Sequence, residues 1–188
     1  DQADAGMLVG TAIHSTISNV KIGGKVVSAG TTASKRFSIG GVCGYAYAGV
    51  ISETEVGKTL FEGCVVNAEV EFDGGTNQAN GATCAMYGGI CGFATTPNAD
   101  AAHKVTIKNC VNNATVSANR AGGIASWVTV NATIENVQNY GSITGEVGAS
   151  GIAHGFAGSI KNAVNYGAVT SNNVGAAAGI AGVQKAAS

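Results

Sequence analysis

Six of the eleven acidic residues, Glu53, Glu55, Glu62, Glu69, Glu71 and Asp73, crowd into one part of the chain. Paired carboxylates converging on a groove are what glycosidic-bond chemistry requires, one as acid and one as base or nucleophile. Glu69 and Glu71 flank Val70, so on a strand both project from the same face, with Asp73 next in that alternation. The competing expectation is a solvated strand face beside a long loop, and it is the favoured one. His14, His103 and His154 have no nucleophile or carboxylate near them in sequence and read as surface or loop residues rather than as bases.

The five cysteines are spaced by something other than a disulfide framework. Cys43 and Cys91 each follow a Gly-Gly-(Val/Ile) segment, and Cys64 and Cys110 occupy a second shared position. Thiols placed this way read as small apolar fillers of a narrow core. Cys84 lies outside both positions and is the expected exposed thiol. With no Cys-x-x-Cys, dispersed histidines and Asp only at 1, 4, 73 and 100, no metal and no cofactor are expected. Tyr45, Phe93 and Trp127 stand at one position of successive Gly-containing segments, and Phe156 sits one residue late. Facing outward, that column is an aromatic stripe suited to binding; facing inward, it is core, and inward packing is the favoured expectation.

The elements that position these residues follow from composition and repetition. The 188 residues are 45% hydrophobic and 11% charged, with 29 Gly and a single Pro, Pro97. Soluble domains carry about 25% charged residues, so small polar side chains must solvate this surface. A net charge of −1 and no basic cluster beyond Lys35-Arg36 exclude a nucleic-acid partner, because counterion release needs a basic face. No apolar run is long enough to span a membrane.

The dominant signal is a repeat. Gly40-Gly41-Val42-Cys43-Gly44, Gly88-Gly89-Ile90-Cys91-Gly92, Gly122-Gly123-Ile124-Ala125-Ser126, Ser150-Gly151-Ile152-Ala153-His154 and Ala178-Gly179-Ile180-Ala181-Gly182 are copies of one motif. A worn copy surrounds Gly6, and repeats start near Gly6, Gly41, Gly89, Gly123, Gly151 and Gly179, at intervals of 35, 48, 34, 28 and 28 residues. Between them recur Ile107 to Val116, Ile134 to Ile143 and Ile160 to Val169: short β-branched strands broken by Asn-rich or Tyr-Gly corners, with no helical periodicity. A unit with one apolar face buries it by stacking on the next unit. The prediction is all-β, a single right-handed parallel β-solenoid of about five to six coils without significant helix, one domain over residues 1–188.

Equivalent positions test the register. Glu62, Lys108, Glu135 and Lys161 alternate in sign, which favours in-register stacking at about 4.8 Å. Asn109, Asn136 and Asn162, and Asn112, Asn139 and Asn165, predict amide ladders at corners, and Tyr140 with Tyr166 predicts a stacked pair. Two insertions, near residues 24–38 and 72–87, are the segments long enough to wall a concave site.

These copies resemble the GLUG motif, a Gly-Gly-(apolar)-(small or apolar)-Gly repeat of bacterial surface and secreted proteins, including repeat regions attached to IgA-type metallopeptidases. The resemblance covers most of the chain. It implies an extracellular, adhesin-like β-solenoid array, secreted or at the cell surface. His-Glu-x-x-His is absent, so no peptidase activity comes with it.

The expectation is therefore an adhesin-like repeat domain, part of a longer protein, that binds a glycan or extracellular protein ligand through Tyr45, Phe93 and Trp127 without catalysis. The alternatives are a carbohydrate-active β-helix using Glu69, Glu71 and Asp73, and a purely structural spacer. Unpaired strand edges on the end repeats add an expectation of end-to-end self-association.

Overall fold

The computed structural model describes residues 2–28, 36–49, 56–72, 84–96, 102–172 and 176–184. Among them every regular element is a β-strand, and every strand pairing is parallel. Parallel neighbours cannot be joined by a hairpin. Each strand pairs instead with its equivalent one repeat away: Val9–Ile13, Cys43–Tyr47, Cys91–Thr95, Ala125–Val128, Ala153–Phe156 and Ala181–Gln184 form a six-stranded sheet in that order. The other strands form a curled fifteen-stranded sheet around the same interior, an arrangement that fits a β-solenoid.

The predicted register is the observed one. Lys108 pairs with both Glu62 and Glu135, and Glu135 with Lys161; Lys108 Nζ lies 3.0 Å from Glu62 Oε1. Apolar positions stack as continuous columns inside. Phe61, Ile107 and Ile134 form one, and Val70, Val116 and Ile143 another, all buried. The Tyr140 and Tyr166 rings stack with centroids 4.8 Å apart and planes 13° apart.

Two kinds of corner close each circuit. At one, Asn19, Asn109, Asn136 and Asn162 adopt φ of 55°, 54°, 52° and 48°, and Gly63, at the equivalent position, has φ 64°. Asn and Gly are the residues that enter the left-handed region at least cost, which explains why this position is restricted to them. The predicted ladder here is partial: Asn162 Nδ2 donates to Asn136 Oδ1 at 3.0 Å, while Asn109 turns its amide to Glu62 Oε1 at 3.4 Å.

At the Gly-Gly corner the interior is so narrow that opposite walls touch. A Cβ on Gly89, Gly123 or Gly151 would collide with the amide of Asn112, Asn139 or Asn165 across the core, and one on Gly41 with Val66. Those asparagines form the second predicted ladder in full. Asn112 Nδ2 donates to Asn139 Oδ1, and Asn139 Nδ2 to Asn165 Oδ1, each at 2.7 Å. Each amide also donates to the carbonyl two residues on, Ala114, Gly141 or Gly167, at 2.9–3.0 Å. The buried amides are thus satisfied from within, which removes most of the desolvation cost of burying them.

This geometry separates two otherwise similar substitutions. Asn139→Ala leaves a cavity and strips partners from its ladder neighbours, and should lower stability by about 2–3 kcal/mol in urea denaturation. Asn136→Gly, at a left-handed exposed corner, should change it by less than about 1 kcal/mol. Equal losses for both would show that the buried ladder carries no special weight.

Candidate functional site

The aromatic column comes first, because its orientation decides its use. Tyr45 pairs in register with Phe93, and Phe93 with Trp127. All three are only partly buried, whereas the next residues, Ala46, Ala94 and Val128, are fully buried. The column therefore faces outward, correcting the expectation of inward packing. The reason is steric. On the inward side, a Cβ at Gly44 would approach Ala5 N at 2.5 Å and one at Gly92 would approach Ile39 N at 2.5 Å, so in these two repeats the sheets abut backbone to backbone and leave room for alanine but not for a ring. Phe156 pairs with Val128 rather than with Trp127, so it belongs to the inward column and packs against the core.

Tyr47, two residues after Tyr45 on the same face, joins the surface. Its ring lies 6.1 Å from that of Tyr45, which in turn lies 5.6 Å from Phe93. Three rings thus make one contiguous, partly exposed aromatic patch, larger than the scattered single side chains normal on a surface. Strand alternation from Tyr45 was the signal that could have found Tyr47.

Trp127 ends the column and is held differently. In the next repeat its partner is Gly155, where a Cβ would collide with the indole, so the ring lies over that glycine. Arg120 Cζ stands 5.8 Å from the ring centroid, a cation–π distance, and the His154 ring is edge-on at 6.5 Å. Nothing in the sequence marked Arg120: its equivalents in the flanking repeats are Met86 and Gly148. A register shift between Ala118 and Arg120 gives the strand the local kink of a β-bulge beside this cluster.

His154 fills an inward position held by glycine in four other repeats, Gly10, Gly44, Gly92 and Gly182, and by Ser126 in the one before. Gly148 makes space for it, since a Cβ there would meet the imidazole. His154, in the strand Ala153–Phe156, and His103, in the connection before the strand Lys104–Lys108, are both 4% exposed, which corrects the surface reading of both and the loop reading of His154. His103 Nδ1 accepts the Gly57 N–H at 3.0 Å and serves as a structural acceptor. His14 is half-buried at a left-handed corner, φ 49°.

The acidic candidates are held by a cation. Lys25 Nζ lies 2.6 Å from Glu71 Oε2 and 3.4 Å from Glu69 Oε2, and the Glu71 hydrogen bond, with Glu69 assisting, raises the lysine pKa. Lys25 pairs in register with Glu69, so strand stacking itself brings the three together. Asp73 lies outside the described residues, as do Glu53 and Glu55, residues 29–35 of the first insertion and residues 73–83 of the second.

Cys43 and Cys91 are register partners, and with Cys64 and Cys110 they are buried free thiols, as their spacing indicated. Cys43 Sγ donates to the Tyr45 carbonyl at 3.2 Å and Cys110 Sγ to that of Lys108 at 3.2 Å. The adjoining Cys43 thiol, together with burial, pushes the Cys91 pKa up, and Cys64 with burial does the same to Cys110. Cys84 opens the strand Cys84–Gly88; its side chain lies outside the described residues. Among the described residues no three metal-ligating side chains converge.

Comparisons with protein-family models, with curated proteins and with solved structures find no match to this chain.

Burial, reinforced by the Arg120 charge, lowers the His154 pKa from 6.5 to about 4. The unfolded chain therefore binds a proton near pH 6.5 that the folded chain refuses until about pH 4. Stability should fall as pH drops through that window, by up to about 3 kcal/mol at its lower end. His154→Ser, copying Ser126, should flatten the slope in denaturation curves at pH 7 and pH 4.5; an unchanged slope would assign it to other groups.

Proposed function

We propose that this chain is a non-catalytic, adhesin-like repeat domain of a bacterial cell-surface or secreted protein. In this reading it is a single right-handed parallel β-solenoid that binds a glycan or extracellular protein ligand through its outward aromatic face. The observation that carries the proposal is the contiguous patch of Tyr45, Tyr47 and Phe93 on one sheet face. Aromatic side chains held rigid by the backbone bind well because little conformational entropy is lost when a ligand stacks on them. Trp127 extends the patch by one repeat and is fixed in place by Arg120 and Gly155. The engagement of Glu69 and Glu71 with a single lysine supports binding over hydrolysis, because an acid catalyst needs an environment that raises a carboxyl pKa, not a cation beside it. The GLUG-like motif copies support an extracellular setting.

The test is a glycan and extracellular-matrix array probed with the chain and with Phe93→Ala, Trp127→Ala and Glu71→Gln. The two aromatic truncations should weaken binding about ten- to hundredfold, as loss of a central aromatic contact does, while Glu71→Gln leaves it unchanged. Binding that survives both truncations in folded protein, or that is lost with Glu71→Gln, would overturn the assignment.

A further inference from the structure

The six strands Val9–Ile13, Cys43–Tyr47, Cys91–Thr95, Ala125–Val128, Ala153–Phe156 and Ala181–Gln184 contain no Asp, Glu, Lys or Arg, whereas the fifteen-stranded sheet carries Lys25, Glu69, Glu71, Lys108 and Glu135. Beside the column of Tyr45, Phe93 and Trp127 runs a second outward one, Tyr47, Thr95 and Thr129. Thr95 pairs in register with Tyr47, and Thr129 follows Val128, the partner of Ala94. Both threonines are partly exposed. Thr129 Oγ1 donates to Thr95 Oγ1 at 3.1 Å, which leaves the Thr95 hydroxyl hydrogen to an outside acceptor. Tyr47 lies down along the sheet, where a Cβ on Gly49 would collide with its ring, as Trp127 lies over Gly155. The planes of Tyr45 and Tyr47 differ by 12° and those of Tyr45 and Phe93 by 30°. The face is a floor of similarly oriented rings edged with neutral hydroxyls.

We infer, building on the adhesin-like reading above, that the ligand is a neutral, extended polysaccharide with equatorial linkages, lying across the coils over Tyr45, Phe93 and Trp127. A pyranose has a flat C–H face and a rim of hydroxyls. The face matches the rings, and the rim matches Thr95, Thr129 and the tyrosine hydroxyls. In an equatorially linked chain the sugar faces succeed one another as a flat ribbon, and successive coils offer one ring each at the strand spacing of about 4.8 Å, close to the rise per sugar. An acidic glycan, or a protein segment rich in charged side chains, would set its charges against strands that carry none, and covering a charge without a partner is costly. Arg120 borders the row, but it is turned onto the Trp127 ring at 5.8 Å.

Titration calorimetry of the 188-residue chain with cello-, chito- and xylo-oligosaccharides of increasing length, beside polygalacturonate and collagen, tests this. Binding of the neutral oligosaccharides should tighten with length up to the three coils that Tyr45, Phe93 and Trp127 span and then level off, and added salt should leave it unchanged. Phe93→Ala should weaken it about tenfold or more. Thr95→Val, which keeps the shape and removes the hydroxyl, should weaken it about three- to tenfold. Circular dichroism checks that each variant is folded. Neutral oligosaccharides that fail while polygalacturonate or collagen binds through Phe93 would overturn the neutral-glycan assignment and leave the adhesin-like reading standing; failure of every probe on folded chain would overturn both. Neutral-glycan binding that ignores length, falls with salt, or survives either variant at full strength would also overturn the assignment.

Discussion

The closeness of the two walls at the Gly-Gly corner governs the rest of this fold. Where a glycine abuts an asparagine amide or a valine across the interior, the cross-section admits only small or branched side chains, and the sequence fills it with Ala46, Ala94, Val42, Ile90 and buried thiols. In the repeats of Tyr45 and Phe93 large rings are excluded from the six-stranded sheet's inner face and emerge on its outer face; the later repeat, where Gly148 leaves space, admits His154 and Phe156. The aromatic patch is thus a by-product of a thin core: the same constraint that demands glycine inside places Tyr45 and Phe93 outside.

The buried asparagine ladder adds specificity to that constraint. Apolar columns of similar residues tolerate sliding by one residue only by exposing every inward side chain, and a ladder of reciprocally bonded amides sharpens the penalty, since a slipped strand would strand several buried donors at once. The ladder begins at Asn112, where Val66 gives way to an amide. Upstream repeats rely on apolar stacking and on corner geometry, and it is there that the repeat intervals are longest.

Stacking was legible because equivalent residues had to satisfy one another: alternating Glu62, Lys108, Glu135 and Lys161, the paired tyrosines and the two thiol positions are nearest-neighbour statements that survive without coordinates. What the sequence concealed depends on distance across the core. Whether a column faces in or out is decided by the opposite wall, so for Tyr45, Phe93 and Trp127 the sequence leaves both orientations open and favours the inward one. The burial of His154 depends on Gly148, six residues earlier, giving way, and that of His103 on a bond to Gly57; neither partner is recognisable from spacing. Tyr47 was available from strand alternation alone.

The sign alternation along Glu62, Lys108, Glu135 and Lys161 also constrains how such an array grows or shrinks genetically. Duplicating or deleting one repeat sets lysine on lysine or glutamate on glutamate, whereas gaining or losing two preserves every opposite-charge contact. Each mismatch costs only tenths of a kcal/mol, but its sign is always the same. Within this column, even steps in repeat number therefore keep the electrostatic pattern that odd steps break.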